Sequence, residues 1–139
     1  MSEENEAVVR RAFDEVAMGD MTTIEEIIAP EFVRHDLAGG TEAHGPDGVK
    51  RLIAALRSAF PDIQTTVDDV ISGGDRVVVR FTARGTHRGQ FQGIAATGLE
   101  ATWTGINIYR VADGQIQETW QLADGLGLLR QLGAAPGRR

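Results

Sequence analysis

The chain has 139 residues, a formal net charge of −6 and no cysteine. Its length suits one domain, and its hydrophobic fraction of 42% and charged fraction of 24% are those of ordinary globular proteins. The acidic balance argues against a nucleic-acid partner, and the lack of cysteine excludes disulfides and thiolate chemistry. Without a leader or a long apolar run, we expect a single cytoplasmic domain over residues 1–139 with no membrane partner, in which residues 134–139 form a frayed tail.

Two helices are predicted near the N-terminus. Apolar residues at helical spacing predict the first over residues 4–18, and Gly19 is its stop signal. Thr22 followed by Glu25 is a capping-box pattern for a short second helix, which Pro30 ends.

A short extended segment over residues 32–36 precedes a third predicted helix. Pro46 suits the first turn of this helix, and Pro61 stops it. Its spacing gives one apolar side that must cover a sheet. That side carries Val49, Leu52, Ile53, Leu56 and Phe60.

From residue 63 onward the apolar pattern alternates, which predicts strands over residues 63–71, 76–86, 99–111 and 115–123. Gly73-Gly74 and Asp113-Gly114 are predicted hairpin turns, and a last short helix is predicted over residues 125–132. Helices followed by a meander of strands indicate an α+β fold. We expect the helices to pack on a curved, mostly antiparallel sheet that encloses a pocket.

The last hairpin permits two registers. A two-residue turn at Asp113-Gly114 would place Asn107 opposite Trp120, whereas a three-residue loop with a glycine bulge would shift the pairing by one. In the second register, one face is predicted to carry Trp103, Asn107, Tyr109, Thr119 and Gln121. The other face is predicted to carry Ile106, Ile108, Ile116, Trp120 and Leu122. The first face is either a ligand pocket or a solvated surface, and the second suits contact with helices or with a second copy in a homodimer.

Several titratable residues are candidates for chemistry. His35 and Asp36 could form an acid/base pair, but neighbours on a strand point to opposite faces, so we expect only one of them in a site. His87 follows a strand and is either a rim residue of the pocket or, more simply, a surface histidine. Asp69 falls in phase with apolar residues unless a bulge occurs at Asp68-Asp69. The histidines lack metal-ligand spacing, and nucleotide-binding and serine-hydrolase motifs are absent, so no metal or organic cofactor is expected.

A series of short segments, in order and at matching spacing, resembles the SnoaL-like polyketide cyclases. These segments are 10–13, 29–32, 45–46, 85–89, 93–94, 97–98, 105–110, 113–116 and 128–133, together with Trp120 and Asp124. The resemblance implies an NTF2-like α+β barrel with a hydrophobic cavity, and cofactor-free enzymes of aromatic polyketide and anthracycline biosynthesis. In the cyclases of this family an Asp is the general base for an intramolecular aldol ring closure, and a His lies nearby.

In this chain, Gln121 holds the Asp position and Asn107 the His position. Neither amide accepts a proton at neutral pH, so the cyclase mechanism does not carry over to them. We therefore expect an enzyme resembling the hydroxylase-like branch, in which both amides orient oxygens of a small aromatic polyketide. Any acid/base step is assigned to Asp124, His35 or Asp36, and the expected substrate-binding residues are Phe13, His87, Trp103, Tyr109 and Thr119.

Two alternatives stay open. A cyclase or isomerase could use Asp124 or Asp36 as the base in place of the missing one. A non-catalytic protein could use the same amides only to bind a small molecule, because a fold does not by itself define a function.

Overall fold

The computed structural model describes residues 2–16, 19–40 and 42–133. Its helices are α1 (Ser2–Arg11), α2 (Met21–Ile27), α3 (Gly45–Ala59) and α4 (Gly125–Gln131), and a π-helical turn, Ala12–Val16, extends α1. Its strands are β1 (Ile28–Asp36), β2 (Ala43–His44), β3 (Gln64–Gly73), β4 (Arg76–Thr86), β5 (Glu100–Ala112) and β6 (Gln115–Ala123). The predicted tail and the last two residues of the predicted first helix lie outside the described residues.

The strands form one mixed sheet in the order β2-β1-β6-β5-β4-β3. β1 runs parallel to β6, and every other neighbouring pair is antiparallel. The sheet is not closed, since β2 and β3 are its two edges. The predicted α+β fold is confirmed, although neither the short β2 nor the parallel pair was predicted. Within the described ranges, no helix has the length and apolar character needed to cross a bilayer.

The start of α2 differs from the prediction because Asp20, not Thr22, is its N-cap. The Asp20 carboxylate accepts hydrogen bonds from the backbone N–H groups of Thr22 at 3.1 Å and Thr23 at 3.3 Å. These bonds satisfy two donors that the first turn of a helix leaves free. The helix ends before the predicted Pro30, since Ile28 is already extended and begins β1.

Strand β3 contains the bulge expected at Asp68-Asp69. Val67 pairs with Phe81, but Asp69 pairs with Arg80, so Asp68 is the extra residue. The bulge turns Asp69 away from the core, where its carboxylate accepts a hydrogen bond from Arg80 Nε at 2.7 Å. The bulge therefore keeps the Asp69 carboxylate off the apolar face of the sheet.

The turn between β3 and β4 lies one residue later in the chain than predicted. Gly73 pairs with Arg76, so Gly74 and Asp75 form the tip in place of Gly73-Gly74. Gly74 has a φ of 60°, which glycine adopts without steric cost.

The β5–β6 hairpin adopts neither predicted register over its whole length. Asp113 and Gly114, with φ of 56° and 74°, form the two-residue turn that was one of the two predictions. A bulge between the pairs of Val111 and Arg110 then shifts the pairing by one residue. Asn107 consequently lies opposite Gln121, and the expectation that it faces Trp120 is wrong.

The core lies between the helices and one face of the sheet, which we call the inner face. Trp103, Asn107 and Tyr109 of β5 are buried on it, while Ile106 and Leu122 on the opposite, outer face are 48% and 51% exposed. Ile116 is 1% exposed within the core, so its predicted place on the outer face is wrong. The cause is the bulge, since Ile116 precedes it and pairs with Val111 on the inner face.

Candidate functional site

Six side chains from three neighbouring strands interrupt the apolar inner face, and we call them the inner polar patch. Cross-strand pairing arranges them in two rows: Tyr109, Thr119 and Arg34 in the first, and Asn107, Gln121 and Asp36 in the second. The members on β5 and Thr119 are buried, whereas Arg34, Asp36 and Gln121 are half-buried. The patch therefore extends from the core toward solvent at the β1 side.

A short hydrogen bond joins two buried members of the patch. The amide nitrogen of Asn107 donates to the Tyr109 hydroxyl oxygen at 2.7 Å. Burial raises the pKa of Tyr109 to about 12, and the bond from Asn107 opposes that rise. The phenol therefore stays neutral at physiological pH. Asn107 Oδ1 is buried and has no hydrogen-bond partner in the described part of the chain, so one buried acceptor is left unsatisfied there.

Arg34 is a member of the patch that the sequence reasoning missed. Its Nη2 donates a hydrogen bond to Gln121 Oε1, which orients the side-chain amide of Gln121. The two N–H donors of that amide have no acceptor among residues 2–16, 19–40 and 42–133. The signal was present in the alternation of β1, because Phe32 is buried and every second residue after it, Arg34 and then Asp36, faces the same side.

His35 and Asp36 lie on opposite faces of β1. His35 is on the outer face, where its Nε2 lies 2.6 Å from Glu118 and its Nδ1 lies 2.9 Å from Glu42. The hydrogen bond to Glu118, and then the bond to Glu42, raise the pKa of His35. Its ring also stacks on Trp120 with a centroid separation of 5.6 Å. The structure thus does not bring His35 together with the amides.

Asp36 is the carboxylate that shares the patch with the two amides. It pairs directly with Gln121, which pairs in turn with Asn107. Its Oδ1 accepts a hydrogen bond from the Ala38 backbone N–H at 3.0 Å, so the side chain is held at the end of the strand. The second oxygen, Oδ2, lies against Gly40, where an added Cβ would collide with it.

Aromatic rings border the patch on the helix side. Phe13, carried by the π-helical turn, meets Tyr109 edge-on with ring centroids 6.3 Å apart and lies 5.9 Å from Phe81. Trp103 packs on Phe60 at 5.0 Å. These rings form the aromatic part of the core on the inner face.

The expectation that His87 is a surface histidine is wrong, because the residue is fully buried. Its Nδ1 accepts a hydrogen bond from the Thr97 backbone N–H at 3.2 Å, so the ring proton is on Nε2. That N–H finds no acceptor among the described residues. The ring packs on Phe60 at 5.6 Å, and Phe60 is also the neighbour of Trp103.

Asp124 has a structural partner at the start of α4. Its carboxylate caps the helix by accepting the Gly127 backbone N–H at 2.8 Å. Asp124 is exposed and is not part of the inner polar patch.

A separate cleft of about 440 Å³ lies on the surface and contains no member of the patch. Three carboxylates dominate it, and it is lined by Glu25, Pro30, Glu31, Phe32, His44, Gly45, Pro46 and Asp47. It therefore suits cations better than anionic or electron-rich ligands. In residues 2–16, 19–40 and 42–133, no three His, Asp or Glu side chains are placed to hold a metal ion.

Comparison with known proteins identifies a family over most of the chain. Residues 7–132 match the family described as SnoaL-like polyketide cyclase. Aklanonic acid methyl ester cyclase DauD from Streptomyces sp. (strain C5) is 27% identical over 129 residues, which cover 91% of this chain and 80% of that protein.

Solved structures of similar proteins share the fold. AclR from Streptomyces galilaeus, a proposed hydroxylase, superposes with a TM-score of 0.85 at 28% identity and covers all of this chain and 87% of its own. IdmH from Streptomyces antibioticus, a proposed polyketide cyclase, has a TM-score of 0.80 at 33% identity, with coverage of 93% and 98%.

Proposed function

Because this chain belongs to the SnoaL-like polyketide cyclase family, we propose that it is a cofactor-free tailoring enzyme of aromatic, anthracycline-type polyketide biosynthesis. The observation that carries the proposal is the pair of amides, Asn107 opposite Gln121, on the inner face. Relatives named as acting on an aklanonic acid ester support an aromatic polyketide substrate.

The amide pair suits orientation of substrate oxygens better than proton abstraction from carbon. In the described structure the two N–H donors of Gln121 are unpaired and can serve a carbonyl, enolate or phenolate oxygen, and the unpaired Asn107 Oδ1 can accept from a phenol hydroxyl. A ligand ring that carries neighbouring hydroxyl and carbonyl groups can pair with both the Gln121 donors and the Asn107 acceptor. Phe13, Trp103 and Tyr109 supply the surfaces for its rings.

Assistance of hydroxylation is the reaction that these contacts support best. An electron-rich phenolate held by Gln121 reacts with dioxygen at a ring carbon. A C–H bond is replaced by C–OH, and the second oxygen atom leaves as water when an external reductant supplies two electrons and two protons. Similarity to AclR, itself a proposed hydroxylase, supports this branch.

A cyclase is the second candidate, because the structure places Asp36 in the same row as the two amides. As the base, Asp36 would take a proton from carbon next to a carbonyl, and the resulting carbanion would attack a second carbonyl within the molecule. The new alkoxide then takes up a proton, so that the product is an isomer of the substrate. Gln121 would hold the enolate oxygen.

Product mass distinguishes these reactions. The purified protein is incubated with anthraquinone and anthracycline intermediates, with and without oxygen and a reductant. A gain of one oxygen atom that requires the protein and oxygen supports hydroxylation, whereas an isomeric or dehydrated product supports the cyclase. Unchanged ligand that is nevertheless bound contradicts both enzymatic proposals and leaves a binding protein.

The role of Asp36 has its own matched test, because its neighbour His35 faces the other way. In a cyclase, Asp36→Asn lowers kcat by at least about a hundredfold, since general base catalysis is typically worth 10² to 10⁴. His35→Gln, the control one residue away, keeps kcat within about twofold. Equal effects of the two substitutions would contradict Asp36 as the base.

A homodimer through the outer face of the sheet is part of the proposal. Ile71, Ile106 and Leu122 are 67%, 48% and 51% exposed there, and half-buried Ile108 lies between them. A contiguous apolar patch of this kind is typical of protein contacts. Pairing through it would leave the inner polar patch of each copy accessible.

A further inference from the structure

Arg34 differs from the other arginines of the sheet in its surroundings. It is half-buried on the inner face, opposite Thr119, which is itself opposite Tyr109. Arg80 and Arg110, by contrast, lie on the outer face and each contacts a carboxylate, on Asp69 and Glu118.

Within the described residues, no carboxylate lies within ion-pair distance of Arg34. Gln121 Oε1 is the one acceptor that its five N–H donors reach there. Burial lowers the pKa of Arg34, and this effect outweighs the negative charge of Asp36 on the same face, which favours the charged guanidinium. The guanidinium stays protonated at neutral pH all the same.

A half-buried cation without a counter-ion is costly to the fold. An anion or an electron-rich oxygen in direct contact with the guanidinium would offset that cost. Arg34 contacts the amide of Gln121 directly, so the remaining donors of the guanidinium and the N–H groups of that amide belong to one cluster of donors that a single ligand oxygen could engage.

From this arrangement we infer that Arg34 and Gln121 together form an oxyanion-binding subsite, which binds a negatively charged oxygen of an aromatic polyketide (a carboxylate, or an ionised phenol or enolate) more tightly than an uncharged oxygen at the same position. This inference rests on the proposed function, because it assigns the charge of the substrate that the inner face binds. The acidic surface cleft offers no such site, since Glu25, Glu31 and Asp47 would repel an anion.

A matched pair of probes tests the subsite without knowledge of the natural substrate. Anthraquinone-2-carboxylate and its methyl ester share the same rings and differ by one charge at pH 7.5. Calorimetric titration measures the affinity of each for wild-type protein and for Arg34→Met. Arg84→Met is the control, because Arg84 is exposed on the outer face and bonds only Gln64 in the described structure.

We expect the carboxylate to bind wild type and Arg84→Met at least about tenfold more tightly than the ester, as one charge-assisted hydrogen bond allows. Arg34→Met should reduce carboxylate affinity to that of the ester while changing ester affinity less than about threefold. Should Arg34→Met fail to fold, Arg34→Lys keeps the charge but loses the planar fork, and is expected to retain only part of the preference.

Equal wild-type affinity for both probes, or a preference that survives in Arg34→Met, overturns the inference. If wild-type protein binds both probes equally and Gln121→Ala weakens that binding, the proposed function stands while the subsite is contradicted. Binding of neither probe contradicts both.

Discussion

Asn107 and Gln121 lie directly opposite each other on antiparallel strands, on the face of the sheet that the helices cover. The tyrosine hydroxyl engages the nitrogen of the first amide, and the arginine engages the oxygen of the second. Among the described residues, one acceptor on Asn107 and two donors on Gln121 are therefore left without a hydrogen-bond partner. This complementary pair can hold oxygens, but it cannot abstract a proton from carbon.

Removal of the Gln121 amide should weaken the site. We expect Gln121→Ala to reduce turnover or ligand affinity by about tenfold or more, because one hydrogen bond to the ligand is lost and Arg34 loses its acceptor. Gln64→Ala is the control, since Gln64 is an exposed residue of edge strand β3 that bonds Arg84. Steady-state kinetics or calorimetry measures the change, and near-wild-type values for Gln121→Ala would contradict the role of this side chain.

Tyr109 is the only tyrosine in the chain, so its ionisation can be followed without interference from another phenol. Since burial raises its pKa to about 12, the native protein should form tyrosinate about two pH units higher than the urea-unfolded protein does. Ultraviolet absorbance titration of both states measures the difference. A native midpoint near 10 would show that the phenol is not buried as described.

The same shift affects stability at high pH. The neutral phenol is favoured in the folded state, so its contribution is fully present below pH 10 and is lost as the pH rises through about 12. The free energy of unfolding should fall over this interval by roughly 3 kcal/mol at most from this group. Tyr109→Phe should show a shallower fall than wild type, and identical slopes would contradict the linkage.

Gly105 makes room for an aromatic ring on the inner face. A Cβ at this position would lie 2.5 Å from Phe81 Cζ and 3.1 Å from the Leu122 carbonyl oxygen. We expect Gly105→Ala to lower the free energy of unfolding by about 1 to 3 kcal/mol, as overpacking does. Urea denaturation measures it, with Gly73→Ala as the control, because a Cβ at Gly73 meets nothing within 4 Å.

The clash with Phe81 can be separated from other effects of the added methyl group. Combination of Gly105→Ala with Phe81→Leu should cost less than the sum of the two single changes, because the shorter side chain no longer meets the new Cβ. Strict additivity of the two changes would contradict this account of Gly105.

The outer face should control the oligomeric state. We expect wild-type protein to sediment as a dimer and Leu122→Glu to sediment as a monomer, because the new charge would be buried without a partner at the contact. Leu37→Glu is the control, since Leu37 is 57% exposed in the loop after β1. A monomeric wild type, or a Leu122→Glu variant that still dimerises, would contradict the proposed contact.

Local patterns predicted much of the fold, because the period of apolar residues depends only on whether a segment is helical or extended. The bounds of β4 and β6 and the bulge at Asp68-Asp69 were all predicted from alternation and its interruption. The turn at Asp113-Gly114 followed from residues that tolerate positive φ.

Features set by contacts between distant segments could not be predicted in the same way. The bulge in β6 depends on the pairing of β5 with β6, and its absence from the prediction misplaced Ile116. The parallel pairing of β1 with β6 joins residues that are 85 to 88 positions apart in the chain, and this pairing places Arg34 beside Gln121. His87 was expected at the surface because no local signal reports the packing of Phe60 and Thr97 around it.

The most direct test of the central claim is a crystal structure of the protein with anthraquinone-2-carboxylate bound. The account predicts that the ring system contacts Phe13 and Tyr109 on the inner face, with a ligand oxygen within about 3.2 Å of Gln121 Nε2. A ligand seated in the acidic cleft beside Glu31, or on the outer face of the sheet, with no contact to Asn107 or Gln121, would contradict it.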